Sequence, residues 1–172
     1  MYSISEFIEH ALKRKNVVAS FQFQPDQIGE VIWAISEYQK RCKKIDFSEL
    51  IEKLADGIVR FWNKNHFVLP TKDIWEEEMI YPRDHSYFPV TLGFCALGLR
   101  KAMEYLGEKR RWLSCYNEMI YLINKAFDRN RGFIYKVFGK RKCKKIDSSS
   151  LFLICGLAKF SMKRTQRNSQ KR

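Results

Sequence analysis

The chain has 172 residues, a length that fits one domain, and 45% of them are hydrophobic, which is enough for a packed core. It has no run of about 18 uncharged apolar residues, so we expect no membrane-spanning helix, and its charged start, MYSISEFIEHALKRKN, argues against a secretory signal peptide. The 32 lysines and arginines exceed the 19 acidic residues and give a formal net charge of +13.

Apolar residues recur at helical spacing along most of the chain. The first such pattern predicts a short amphipathic helix over about residues 3–15. The second predicts a helix that carries residues 28–38 and ends in a cationic last turn, which suits the helix dipole. The third helix is expected to carry residues 47–62, after a capping box formed by Asp46 and Glu49.

Two longer helices are predicted after Pro70, which ends any helix before it. They cover about residues 90–106 and 108–127 and are separated by Gly107. The stretch that follows alternates apolar and polar residues and contains two glycines. It predicts a short β-hairpin-like excursion near residues 132–146.

Together these elements predict an all-α fold of consecutive αα-hairpins. A last helix is expected to begin at Asp147 or Ser148, either of which can cap it. We expect one domain over residues 1–160. Residues 161–172 have no apolar face and predict a basic disordered tail.

Five cysteines are scattered along the chain: Cys42, Cys95, Cys115, Cys143 and Cys155. Their number is odd, no C-x-x-C motif occurs, and no histidine pair has the spacing of metal ligands. We therefore expect no zinc site and no cofactor. Reduced thiols predict a cytoplasmic protein, with Cys95, Cys115 and Cys155 as part of the helical core.

The positive charge is concentrated in two stretches that hold 11 of the 32 basic residues. They are Lys136, Lys140, Arg141, Lys142, Lys144 and Lys145 in one segment, and Lys163, Arg164, Arg167, Lys171 and Arg172 in the tail. A basic stripe of this kind can bind nucleic acid or another anionic surface. We favour the simpler interpretation of a solvated loop and a frayed tail, so nucleic acid is not an expected partner.

The segment TKDIWEEEMIY places four carboxylates around one tryptophan, Trp75. They are Asp73, Glu76, Glu77 and Glu78. One interpretation is the acidic first turn of a surface helix. The other is a catalytic site, because a tryptophan desolvates a neighbouring carboxyl group and adjacent carboxylates oppose its ionisation. Both effects raise a carboxyl pKa, as a general acid requires.

Three motifs occur in an order that resembles the glucoamylase-type family of glycoside hydrolases, which includes glucodextranases and some trehalases. FQFQPDQIGEVIWAI is similar to the family's Q-x-D-x-x-G helix start, with Gln24, Asp26 and Gly29 in the matching places. LPTKDIWEEE resembles its D-[LI]-W-E-E signature, and IDSSSLFLI resembles its D-[AS]-S-L-L helix start, matched by Asp147 and Ser149. The resemblance covers about residues 20–158.

The resemblance implies part of an (α/α)6 toroid whose inner helices point their connecting loops at one site. It also implies inverting hydrolysis of terminal α-glucosidic bonds, with an α-glucan or oligosaccharide as substrate. Glu76 takes the place of the general acid, and Glu77 that of the neighbour that binds sugar hydroxyls. Trp75 and Asp73 shape the floor of the site.

His85 is a further candidate for a sugar contact. His85 and Tyr87 match the family's His-x-aromatic pair, but Phe88 replaces the threonine that usually follows. The alternative is a simple loop histidine. Phe21, Phe23 and Trp33 could stack on sugar faces, although aromatic residues at their spacing are expected in the core.

The chain departs from the family at both ends of the motif series. The family's general base lies far downstream of the D-[AS]-S-L-L motif, and this chain ends about twenty residues after it. The arginine–aspartate pair that grips the outer sugar has no counterpart before Gln24. Four other carboxylates are expected to be solvated and offer no substitute base: Glu30, Glu37, Asp56 and Glu118.

These departures predict a truncated family member with little independent hydrolysis. Three alternatives remain open at this point. The chain could be a subunit completed by a separately encoded half or by a second copy in a homodimer. It could be a sugar-binding module without catalysis, or a basic helical nucleic-acid-binding protein that uses residues 140–145 and the tail.

Overall fold

The computed structural model describes residues 23–42, 45–72, 78–145, 148, 150, 151 and 153. This part of the chain is mostly helical, as predicted. Its four α-helices are α1 (Pro25–Arg41), α2 (Ser48–Phe61), α3 (Pro89–Leu106) and α4 (Arg110–Ala126). None of the described helices is both long and apolar enough to cross a membrane. The helix predicted over residues 3–15, the predicted tail and Cys155 lie outside the described residues.

Prolines begin two of the helices. Pro25 and Pro89 occupy the first helical positions of α1 and α3, where a missing N–H is tolerated. The capping box predicted for α2 is wrong. Asp46 Oδ1 instead accepts hydrogen bonds from the backbone N–H and the hydroxyl of Ser48 at 2.9 and 2.6 Å, because an aspartate readily bonds the backbone two residues ahead.

Eight two-residue strands form four antiparallel pairs. They are β1 (Trp62–Asn63) with β2 (His66–Phe67), β3 (Thr71–Lys72) with β4 (Met79–Ile80), β5 (Ser86–Tyr87) with β8 (Phe138–Gly139), and β6 (Phe127–Asp128) with β7 (Phe133–Ile134). The extended excursion predicted near 132–146 is confirmed, but it begins at Phe127, where the backbone is already extended. The β5–β8 pair joins the connection before α3 to the chain after α4.

The helices form two αα-hairpins that lie side by side in the same direction. Near their N-termini, α1 and α3 are linked by a 3.2 Å hydrogen bond from Cys95 Sγ to the carbonyl of Pro25. Farther along both helices, Lys101 Nζ lies 3.2 Å from Glu37 Oε1. Contacts that advance along both helices in this way show that α1 and α3 run parallel.

Helices α2 and α4 are parallel by the same criterion. Glu52 pairs with Lys109 at 2.5 Å. Four residues farther along α2, Asp56 Oδ1 accepts a 2.7 Å hydrogen bond from the indole of Trp112. Beyond the end of α2, Trp62 donates a hydrogen bond to Glu118 at 2.8 Å. The second hairpin therefore repeats the orientation of the first.

The backbones of α1 and α3 touch where Gly29 faces Gly98. A Cβ atom on Gly29 would lie 2.2 Å from the carbonyl oxygen of Phe94, and one on Gly98 would lie 2.7 Å from the Cα of Gly29. Only glycine fits such a crossing. The core around it includes the fully buried residues Ile32, Ile51, Ile58, Leu92, Leu99, Trp112 and Met119.

Two sequence-based expectations about the core are confirmed and one is wrong. Cys95 and Cys115 are buried as predicted; burial raises the pKa of the Cys95 thiol and raises that of Cys115 to about 12. Phe23 is also buried. Trp33, in contrast, is 43% exposed, because α1 turns its other side toward α2 and α3.

All the strands lie at one end of the helices. Phe23, just before α1, packs its ring 5.2 Å from that of Phe61 at the end of α2. Tyr87, just before α3, donates a 2.9 Å hydrogen bond to the carbonyl of Leu122 near the end of α4. We call this end the loop face and define it as the described residues of 62–88 and 127–145.

Candidate functional site

The acidic segment connects the paired strands β3 and β4 on the loop face. Asp73, Trp75, Glu76 and Glu77 lie outside the described residues, but both flanks are described. Thr71 pairs with Ile80, and Lys72 with Met79. Met79 and Ile80, which follow the acidic run, form a strand, so no helix passes through these two residues.

The first of these flanks docks on the start of α1. Thr71 forms a parallel bridge with Phe23, and the N–H of Lys72 donates to the Phe23 carbonyl at 3.3 Å. The Q-x-D-x-x-G motif begins one residue later, and its Asp26 is only 2% exposed. The structure therefore brings the flank of the acidic segment to the electropositive N-terminus of α1.

The third motif reaches the same end of the molecule. Asp147 and Ser149 lie outside the described residues, but Ser150 and Leu153 are buried. A Cβ atom on Gly93, in the first turns of α3, would lie 1.8 Å from Leu153 Cδ2. The described residues within or beside the three motifs thus lie near the N-termini of α1 and α3.

Glu78, the last of the four clustered carboxylates, is held by cations. Its Oε2 lies 2.9 Å from Arg141 Nη2, and its Oε1 lies 3.8 Å from Lys136 Nζ. The Lys136 side chain is only 8% exposed. These positive charges offset the charge of Glu78, so this residue is not a strong source of repulsion for the other three carboxylates.

His85 is exposed on the loop face in a left-handed backbone conformation, with φ of 44°. Its carbonyl accepts a 3.3 Å hydrogen bond from the N–H of Lys140, which anchors it to the chain after α4. Its ring lies edge-on to that of His66, with centroids 5.2 Å apart. No sequence pattern pairs His66 with His85, because the two histidines are far apart in the chain.

A small cavity lies beside His66. Its lining includes His66, Thr71, Ile80, Tyr87 and Thr91, and its volume is about 10 Å³, room for about one water molecule. Thr91 Oγ1 is buried and has no hydrogen-bond partner among the residues that the structure describes. The cavity is too small for a sugar ring.

The four other carboxylates named above are all partly exposed. Three of them also contact another element of the fold: Asp56 and Glu118 accept hydrogen bonds from Trp112 and Trp62, and Glu37 pairs with Lys101. Glu30 is half-buried, and burial raises its pKa. A helical sequence pattern does not distinguish a carboxylate that faces water from one that faces a neighbouring helix.

We expect the His66 imidazole to titrate below its usual pKa, first because it is partly buried and second because His85 lies beside it. The folded state then binds this proton less readily than the unfolded chain, so the contribution of His66 lowers stability as the pH falls through about 6.5. An NMR titration of the ring resonances measures the pKa. His85→Gln should raise the pKa of His66 only in part, and no change would show that the rings do not interact.

No protein-family model matches the chain, and no curated protein or solved structure has significant similarity to it. Within the described residues, no group of three or more histidine, cysteine or acidic side chains is placed to hold a metal ion. A functional interpretation therefore depends on the three motifs and on the positions of their flanking residues.

Proposed function

We propose that the protein is a glucoamylase-type glycoside hydrolase domain that supplies the general-acid part of a site for inverting hydrolysis of terminal α-glucosidic bonds. The observation that carries this proposal is the convergence of the three motif segments near the N-termini of α1 and α3. A single site formed by all three motifs requires that they lie at the same end of the helices.

The arrangement of the hairpins supports part of an (α/α)6 toroid. Such a ring repeats αα-hairpins in one direction, with parallel inner helices and parallel outer helices. The pairs α1–α3 and α2–α4 have these two relations. The loop face then corresponds to the end of the toroid where the inner helices begin and where the resemblance places the site.

In this proposal Glu76 protonates the glycosidic oxygen as the bond to the leaving sugar breaks. Its pKa must be raised for it to hold a proton near neutral pH. Glu78 contributes little to this, because Arg141 and Lys136 offset its charge. The raised pKa of Glu76 would then come from desolvation by Trp75 and from the charge of Glu77. Asp73, Glu77 and His85 would bind sugar hydroxyls.

The described residues of the loop face do not supply the general base of the proposed site. Inversion places the base about 6.5–9.5 Å from the acid, across the sugar. Two described carboxylates of the loop face already accept hydrogen bonds from the backbone of their own turns. Asp84 accepts one from the N–H of Tyr81, and Asp128 accepts two, from the N–H groups of Asn130 and Arg131. We therefore propose that a second polypeptide, either a complementing half or a second copy, supplies the base.

Such a polypeptide could contact α1 at Trp33, a large side chain that is 43% exposed. Val31 and Tyr38 are 37% and 46% exposed but lie on a different side of the helix. Burial of the Trp33 side chain would favour association. The same observation supports a second candidate function, a sugar-binding subunit that does not catalyse hydrolysis by itself.

A cytoplasmic location is also part of the proposal. The four described cysteines are free thiols, which suits a reducing compartment.

Azide provides a test of the general acid that does not require the missing base. Azide can attack the anomeric carbon of maltotriose while Glu76 protonates the departing oxygen, which yields β-glucosyl azide and maltose. We expect the wild-type protein to form this product. Glu76→Gln should form it about 10²–10⁴-fold more slowly, because it cannot donate the proton. Product is measured by mass spectrometry and by NMR of the anomeric proton.

Glu108→Gln is the matched control, since Glu108 is exposed in the connection between α3 and α4, away from the loop face. It should behave as the wild type. Absence of the azide product from all three proteins would contradict the proposed acid. Glucose released without azide, and lost in Glu76→Gln, would show that the chain contains a base of its own. Isomaltotriose and trehalose in place of maltotriose would then identify the linkage.

A further inference from the structure

The basic segment on the loop face is an anchored hairpin, which we define as residues 136–145 and call the basic hairpin. Its two sides are joined by hydrogen bonds from the N–H of Lys136 to the carbonyl of Cys143 and from the N–H of Cys143 to that of Val137, at 3.1 and 3.0 Å. The N–H of Arg141 donates to Ser86 Oγ at 2.9 Å. The basic run is therefore not a freely solvated loop.

Gly139 allows the tip of the basic hairpin to lie directly against β5. Its φ is +131°, and a Cβ atom there would lie 2.5 Å from the carbonyl oxygen of His85. The hairpin tip thus contacts His85 through its backbone and Glu78 through the Arg141 side chain. These two residues are the described neighbours of the proposed sugar site.

Most of the charge on the basic hairpin is unpaired. Five of its cations are exposed: Lys140, Arg141, Lys142, Lys144 and Lys145. Arg141 pairs with Glu78, and Lys142 Nζ lies 5.0 Å from the centre of the Phe138 ring. Among the residues that the structure describes, the four lysines form no ion pair. Repulsion between them would be relieved by a bound anion.

We infer that the basic hairpin binds phosphate groups carried by the glucan, so that the substrate class is a phosphorylated α-glucan. This inference rests on the proposed function, because it places the phosphate beside the sugar site. Lysine binds phosphate as a point charge and needs no fixed geometry. The exposed lysines at the tip and base of the hairpin can therefore accept phosphates at varied positions along a glucan.

The neighbouring carboxylates favour a sparsely charged glucan over a nucleic acid. The charge of Glu78 is offset by Arg141 and Lys136, but Asp73, Glu76 and Glu77 precede it in the sequence, and Asp84 lies one residue before His85. A nucleic acid carries a phosphate on every residue, so some of its phosphates would approach these carboxylates. A glucan with occasional phosphates can place neutral sugars beside the carboxylates and its phosphates beside the lysines.

The test compares three ligands of similar length: chemically phosphorylated maltodextrin, unmodified maltodextrin and single-stranded oligothymidylate. Binding to the full chain is measured by isothermal titration at low salt. We expect the phosphorylated glucan to bind about tenfold or more tightly than the neutral one, because each charge-assisted contact adds affinity. Added salt should reduce this difference by screening the lysines.

The variant for this test replaces Lys140, Lys142, Lys144 and Lys145 with alanine and keeps Arg141, which holds Glu78. The control replaces four exposed cations on the helices: Lys40, Lys53, Arg110 and Lys125. Both variants lose four positive charges. Only the hairpin variant should lose the preference for phosphorylated glucan, and thermal unfolding checks that both variants fold.

Each other outcome overturns a stated part of the argument. Equal affinity for the two maltodextrins overturns the inference and leaves the proposed function standing. Tighter binding of oligothymidylate, lost in the hairpin variant alone, overturns it in favour of a nucleic-acid surface. An equal loss of binding in both variants shows that net charge, not the basic hairpin, binds the ligand. Failure to bind any glucan contradicts the inference and the proposed function together.

Discussion

Alanine at Gly29 or at Gly98 is expected to lower the free energy of unfolding by about 3 kcal/mol or more, which is the upper end of the cost of overpacking a core. The added methyl group would lie 2.2 Å from the carbonyl oxygen of Phe94 in the first case and 2.7 Å from the Cα of Gly29 in the second. Both obstacles are helix backbone, which cannot rotate aside. α1 and α3 would have to separate, and the side chains that cross between them would lose contact.

Gly57→Ala provides a matched control within the same protein. Gly57 lies inside α2, and nothing would approach its Cβ atom within 4 Å. Alanine there should raise the free energy of unfolding by about 0.5–1 kcal/mol, because it removes the entropic cost of a helical glycine. Urea unfolding followed by circular dichroism measures all three variants. If Gly29→Ala were as stable as Gly57→Ala, the close crossing of α1 and α3 would be wrong.

The helices could be predicted from the sequence because each is long enough to show the 3.6-residue period. The close crossing of α1 and α3 could not be predicted from the sequence. Gly29 was assigned to a motif, but its geometric role depends on Gly98, which lies far away in the chain. A periodic pattern reports which side of a helix is buried, and it does not report which residue of another helix that side meets.

The loop face was predicted only in part. Alternation indicated the extended segment after α4, yet the strands between residues 62 and 87 were not foreseen, because two residues are too few to show a period of two. The β5–β8 pair joins residues from two separate excursions, which no local pattern reveals. The flanking positions of the acidic segment therefore depend on tertiary contacts.

For the candidate site, too, local sequence patterns were informative and tertiary contacts could not be predicted. The motifs identified Glu76, Glu77, Asp73 and Trp75 through residue type and spacing, and these assignments remain proposals. The sequence could not show that Arg141 binds Glu78, or that His66 lies against His85. Each of these contacts joins segments that are separate in the sequence, and charge or residue type alone does not select a partner.

Trp112 is the clearest case of a contact that a helical pattern leaves undefined. The pattern predicts that it is buried, and it is fully buried. Its indole N–H also donates to Asp56 Oδ1 at 2.7 Å, while Arg111 Nη2 lies 2.6 Å from Asp56 Oδ2. The Asp56 carboxylate of α2 thus binds two neighbouring side chains of α4. These two contacts fix how α4 is aligned along α2.

Trp112→Ala is expected to lower the free energy of unfolding by about 3–5 kcal/mol, the usual cost of removing a large aromatic side chain from a core. Trp112→Phe retains much of the packing and loses the hydrogen bond. In a double-mutant cycle of Trp112→Phe with Asp56→Ala, the two residues should show a coupling of about 1–2 kcal/mol, since a hydrogen bond to a charged acceptor is lost. Urea unfolding provides these values.

Trp33→Ala is the matched control, because Trp33 is 43% exposed on α1 and should change the stability of the isolated chain by no more than about 0.5 kcal/mol. If Trp112→Ala were no more destabilising than Trp33→Ala, the packing of α4 on α2 would be wrong. The parallel alignment of α2 and α4 would then lose the contact that supports it most. The proposed toroid depends on that relation, so this result would weaken it before any sugar is tested.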